Sequence, residues 1–129
     1  MSNGSCCCGG EARVVLACSG GSNVGQLTNE VAKRLTISGD AKFLCLAGVG
    51  GHVPGMVLSV RGGDKVLALD GCAVACARKC LEAADIVDFE YVCVTDLGIE
   101  KRPGFDVPEA DAERVIAACR EKLGARTAS

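Results

Sequence analysis

Hydrophobic positions along the chain fall into two kinds of segment. Four short runs, Arg13 to Cys18, Phe43 to Ala47, Lys65 to Asp70 and Tyr91 to Thr95, are dense in aliphatic and β-branched residues, the pattern of strands covered on both faces. Between them the apolar residues recur with a helical period. Val24, Leu27, Val31 and Leu35 fall at three- and four-residue steps, and Asn23 followed by Gln26 is a capping-box variant, which together predict a helix. A second helix is expected from just after Gly71 to about Ala84. A third should begin near Pro108, with Glu109, Asp111 and Glu113 in or near its first turns and Val115, Ile116, Cys119 and Leu123 as its buried face. Arg120 and Lys122 suit its C-terminal dipole, and Gly124 can close it. Val53 to Val60 reads as a short additional helix with Pro54 in its first turn. Strands alternating with helices imply crossover connections and a parallel sheet. The expected fold class is therefore α/β: three layers, Rossmann-like, with a mostly parallel four-stranded sheet and flanking helices. Residues 1–11 read as a flexible, Cys-rich tail and residues 12–129 as one α/β domain.

Composition narrows the function classes. The chain has 129 residues and is 49% hydrophobic, yet holds only one Tyr, three Phe and no Trp, so stacking platforms for nucleic-acid bases are not expected. A net charge of −2 without a basic block argues equally against nucleic acid and anionic membranes as partners, leaving metal ions or other proteins. Met1 to Gly10 has neither the charged nor the apolar region of a secretory signal, and a cytoplasmic protein is expected. The uncharged stretch from Phe43 to Val60 is interrupted by Gly48, Gly50, Gly51, His52, Pro54 and Gly55, which argues against a membrane span. Ten cysteines are many for such a protein, and in a reducing compartment they point to metal or redox chemistry rather than disulfides.

The expected topology sorts these cysteines. All strand C-termini of a parallel sheet lie on one edge, where ligands bind. Cys18 closes the first run, Cys45 lies near the end of the second, and Cys72 follows Asp70-Gly71 at the end of the third. Cys76, four residues on, should share a helix face with Cys72. Four thiols therefore meet at one edge, the coordination number of structural zinc, and positive helix ends would ease their ionisation. The plainer alternative is ordinary core packing around one reactive thiol. Cys80, a turn further along, and Cys93 and Cys119 are expected in the core. Cys6, Cys7 and Cys8 have no core to fill. They are candidates for extra ligands, disulfide exchange or delivery of a soft ion, or they belong to a tail with no defined role.

Cys18-Ser-Gly-Gly-Ser-Asn-Val-Gly25 is a strand-to-helix loop in which Gly20, Gly21, Ser22 and Asn23 are candidates for anion binding through backbone amides. It lacks the Lys and Ser/Thr of a nucleotide-binding loop and the arginine of a phosphatase loop, so its glycines read better as access to the Cys18 sulfur. His52, the sole histidine, is a fifth-ligand or proton-carrier candidate, or simply exposed. Asp70 is a candidate to orient the thiolate loop by hydrogen bonds, and Asp96 and Lys101 lie where site contacts are possible.

Asp70-Gly71-Cys72 with Cys76 behind it resembles the DGC-domain family, small bacterial and archaeal proteins named for that tripeptide and described as zinc-binding. The resemblance runs from about Val14 to Lys101 and takes in Cys18-Ser-Gly-Gly-Ser-Asn-Val-Gly, Cys45-Leu-Ala-Gly and Thr95-Asp-Leu-Gly-Ile-Glu-Lys101. It implies Zn²⁺ on Cys18, Cys45, Cys72 and Cys76, and implies no reaction. The Cys6 to Cys8 cluster is not part of that pattern. Two other uses of the same thiols stay open: a thiol redox or sulfur-, selenium- or arsenic-handling enzyme, and an iron–sulfur cluster.

Overall fold

The computed structural model describes residues 11–125. Four strands, β1 (Arg13–Ala17), β2 (Lys42–Phe43), β3 (Lys65–Asp70) and β4 (Glu90–Cys93), form one sheet in the order β2-β1-β3-β4, and every pairing is parallel. Helices α1 (Asn23–Ile37), α2 (Leu46–Gly50), α3 (Pro54–Arg61), α4 (Cys76–Ala83) and α5 (Glu109–Leu123) flank it. The fold is α/β, as the alternating pattern predicts. No helix among the described residues is long and apolar enough to cross a membrane.

The strand alternation divides the interior in two. Val15, Ala17, Leu67, Leu69 and Val92 face α1 and α5, where they pack against Leu27, Val31, Val115 and Cys119. Val14, Leu16, Val66 and Ala68 face the other way, onto Val49, Val60, Ala77 and Leu81 of α2, α3 and α4. Cys18 and Asp70, at even positions, continue the second set.

Three segments differ from the sequence expectation. The second strand is only Lys42–Phe43, because the apolar run changes conformation midway: Leu44 still donates to Val15, whereas Cys45 caps α2 rather than ending a strand. The expected strand after Tyr91 stops at Cys93, and Val94–Leu97 forms a 3₁₀ turn. The helix expected after Gly71 begins instead at Cys76, since Ala75 adopts a left-handed conformation (φ 60°) that a helix cannot contain. Cys72 thus belongs to a turn and does not share a helix face with Cys76. At α1 the capping residue is Ser22, whose hydroxyl accepts from Gly25 N at 3.1 Å, not Asn23.

Candidate functional site

Among the described residues, five cysteines surround the C-terminal edge of the sheet, divided between two adjoining clefts that share Cys18. The larger, about 560 Å³, lies between β1 and the β2–α2 connection and is lined by Cys18, Cys45 and Cys80 among apolar groups such as Phe43, Leu44 and Leu46. The smaller, about 220 Å³, lies over the glycine loop and is lined by Cys18, Cys72, Cys76 and Lys101. No carboxylate lines either cleft among the described residues.

Two of the thiols have polar neighbours. Cys18 follows β1 and lies 3.7 Å from Thr28 Oγ1, which also accepts from Ser19 N at 3.1 Å and donates to Gly25 O at 2.7 Å. The loop is thereby tied to the first turns of α1. Cys72 packs against the α1/α5 side of the core, and the Lys101 ammonium donates toward its sulfur at 3.6 Å. Asn23 sets that lysine in place: its Nδ2 donates to Glu100 O at 2.8 Å and its Oδ1 accepts from Arg102 N at 2.6 Å. Asn23 is therefore a clamp on residues 100–102. Gln26 likewise spends its amide on Ser19 O and Gly20 O.

Asp70 is 1% exposed, and its carboxylate accepts from α4 and from Tyr91. Its Oδ1 accepts from Ala77 N at 2.7 Å, and its Oδ2 accepts from Arg78 N at 3.1 Å and from the Tyr91 hydroxyl at 2.9 Å. Those two amides are the second and third of α4, the donors that a capping side chain normally satisfies. Ala75 precedes the helix without any such side chain, so the strand supplies the cap. Burial, and after it the hydrogen bond to Asp70, push the Tyr91 pKa up, which keeps that hydroxyl a donor.

A match to the DGC domain covers residues 14–119. The anaerobic and virulence modulator AnvM of Pseudomonas aeruginosa is 44% identical over 103 residues, spanning 80% of this chain and 79% of that protein. This chain belongs to the DGC-domain family. No solved structure matches it.

Of the four cysteines that the DGC resemblance singles out, Cys18, Cys72 and Cys76 share the smaller cleft, and Cys45 joins Cys18 across the larger one. The core expectation holds for Cys93 and Cys119, both buried. Burial pushes the Cys119 thiol up to about 12. It fails for Cys80, which is half-buried and faces the larger cleft. Burial first, and then the charges of Cys76 and Asp70, push the Cys80 thiol up. His52 is exposed and lines a separate depression beside α3 and the end of α4, away from the thiols. Asp96 is exposed. Cys6, Cys7 and Cys8 lie outside the described residues. The Asp70–Tyr91 bond and the Asn23 clamp are contacts that sequence reasoning missed, since both link residues distant in the chain.

The donor chemistry fits a thiophilic ion: five sulfurs, a neighbouring cation, and no carboxylate among the described cleft residues. The donors are not preassembled. Among the described residues, no three His, Cys, Asp or Glu side chains are gathered closely enough to hold a metal ion in this conformation.

Proposed function

We propose that the protein binds a soft metal ion, Zn²⁺ first, on cysteine thiolates at the C-terminal edge of its sheet. The observation that supports this reading is the sharing of Cys18 between two clefts that together present five thiols. Cys18, Cys45, Cys72 and Cys76 are the ligand set that the family pattern suggests. Bound there, zinc would supply a structural link between strand ends and, with four thiolates, no open position for water activation. The residues themselves do the positioning: Thr28 holds Cys18, and Asp70 holds the helix that carries Cys76. Protein purified anaerobically is expected to carry about one zinc per chain by elemental analysis, and Cys18→Ser to lose most of it. Wild-type protein that neither contains metal nor takes up added Zn²⁺ sinks this reading.

A second reading, a nucleophilic thiol, draws on the Lys101 contact with Cys72. The name of the Pseudomonas relative, an anaerobic and virulence modulator, suits a thiol site whose state differs with oxygen. Iodoacetamide mapping of metal-free protein at neutral pH tests it. Cys72 is expected to react several-fold faster than a model cysteine and to slow in Lys101→Met, while buried Cys119 stays unlabelled until the protein unfolds. If Cys72 reacts no faster than a model thiol, the nucleophile reading is lost.

A further inference from the structure

The smaller cleft, over the glycine loop, holds two thiols that leave neighbouring strands. β1 and β3 pair in parallel, and Cys18 N continues their ladder by donating to Leu69 O at 3.0 Å, three residues before Cys72. Beyond the strands both segments come to the start of α1. Gly71 rests there on Val24 and Gly25, where a Cβ would stand 2.9 Å from Gly25 N, and the Cys18 sulfur lies 3.7 Å from Thr28 Oγ1. Cys18 and Cys72 line the same space of about 220 Å³. A side chain at Gly20 would touch the Cys18 sulfur at 3.9 Å, so the glycine leaves that sulfur open to the cleft. Cys76 lines the cleft as well, but it opens α4, whose next two amides are bonded to Asp70, and the left-handed Ala75 stands between it and Cys72. Lys101 is the one charged side chain on this cleft among the described residues, and its ammonium donates toward the Cys72 sulfur.

We propose that, in the metal-free chain, this cleft carries out thiol–disulfide exchange with low-molecular-weight disulfides that bear carboxylates, Cys72 attacking and Cys18 resolving. The inference rests on the nucleophilic reading of Cys72 above and adds its substrate class and its partner thiol. A disulfide asks for only two thiols, and residues just past the ends of strands about 4.8 Å apart fall near the Cα separation of about 4.4–6.8 Å that it requires. In the first step the Cys72 thiolate bonds to one sulfur of R–S–S–R, the S–S bond breaks, and R–S⁻ leaves and takes a proton from water. In the second, Cys18, its proton released to solvent, attacks the Cys72 sulfur of the mixed disulfide, and the second R–S⁻ leaves and is protonated in turn. The cysteine pair is oxidised by two electrons and the substrate reduced to two thiols, so no further oxidant takes part. Lys101, on a cleft with no carboxylate among its described residues, selects the anionic substrate by attraction.

The test incubates the reduced, metal-free full chain anaerobically with oxidised glutathione, quenches samples over time with iodoacetamide, and maps the peptides that carry Cys18, Cys72 and Cys76. A glutathione adduct is expected on Cys72 first, then its replacement by a Cys18–Cys72 disulfide. In Cys18→Ser the adduct is expected to last at least about tenfold longer than in the wild type. A Cys72–Cys76 disulfide in the wild type, or an adduct that resolves equally fast in Cys18→Ser, overturns the assignment of Cys18 and leaves the nucleophilic reading intact. If Cys72 outpaces a model thiol toward iodoacetamide yet takes no glutathione, the exchange activity is lost and the nucleophile stays. If it does neither, both fall together. Cys76→Ser covers a Cys18→Ser variant that folds poorly: it is expected to form the Cys18–Cys72 disulfide within about twofold of the wild-type rate, and absence of that disulfide overturns the pairing. Cystamine, a cationic disulfide, is expected to react at least about fivefold more slowly than oxidised glutathione at low salt, with the difference lost in Lys101→Met. Equal rates in the wild type overturn the anionic substrate class.

Discussion

Asp70→Ala is expected to lower the unfolding free energy by about 3 kcal/mol and to weaken metal binding, although the hydrogen bonds of Asp70 go to α4 and Tyr91. The carboxylate is buried and accepts three hydrogen bonds. Removing it strips α4 of its cap, worth about 1 kcal/mol, and leaves the Ala77 amide and the Tyr91 hydroxyl short of a partner, each at a cost of about 1 kcal/mol or more. The first turn of α4 then frays, and that turn carries Cys76 and leads to Cys80. Asp70→Asn keeps the shape but points an amide NH₂ at a donor, and it should cost about half as much. Urea unfolding of the metal-free variants measures the stability term, and chelator competition measures the site. A loss below about 1 kcal/mol in Asp70→Ala would mean that the cap is not what holds α4.

Gly25→Ala should be comparably damaging for a steric reason. A Cβ at Gly25 would overlap the carbonyl oxygen of Gly20 and stand 2.6 Å and 2.7 Å from that residue's C and Cα atoms. On the neighbouring strand end, a Cβ at Gly71 would meet Gly25 N and Val24 C, each at 2.9 Å. Backbone therefore stacks on backbone between the Cys18 loop, the start of α1 and the turn before Cys72. None of these atoms can swing aside as a side-chain end would. Alanine gains about 1 kcal/mol of helix propensity, but forcing the loop outward costs more, and a net loss of about 2–3 kcal/mol is expected, or a fall in Tm of ~10 °C. Gly21 is the internal control. Nothing lies within 4 Å of a Cβ there, so Gly21→Ala should stay within about 0.5 kcal/mol of wild type. Thermal unfolding of the pair decides it, and equal behaviour would refute the stacking argument.

The elements that are legible in the sequence are those whose burial follows a single period. β3 spans Lys65–Asp70 as its apolar run suggests, and Val24, Leu27, Val31 and Leu35 are all buried on α1. Legibility ends where two conformations share one apolar run. Leu44 to Ala47 is equally apolar as strand or helix, so Cys45 reads as a strand residue when it is a helix cap. Ala75 carries no mark of its left-handed backbone, and that one residue moves Cys72 off the helix. Cys80 is misread for a tertiary reason: its exposure depends on how α2 crosses α4, and the glycine at residue 50 that allows the approach is 30 positions away. The convergence of cysteines on one edge was legible because it needs only the direction of parallel strands.

The buried Arg13 carries a practical consequence. Its guanidinium donates to the carbonyls of Leu123 and Gly124, both at 2.7 Å, and to that of Ala125 at 3.2 Å, so the start of β1 and the end of α5 are fastened together. Both lie at the sheet end opposite Cys18, one five-residue strand away, or ~17 Å. A reporter attached at residue 11 or residue 125 is thus anchored at the end of the sheet away from the thiol edge.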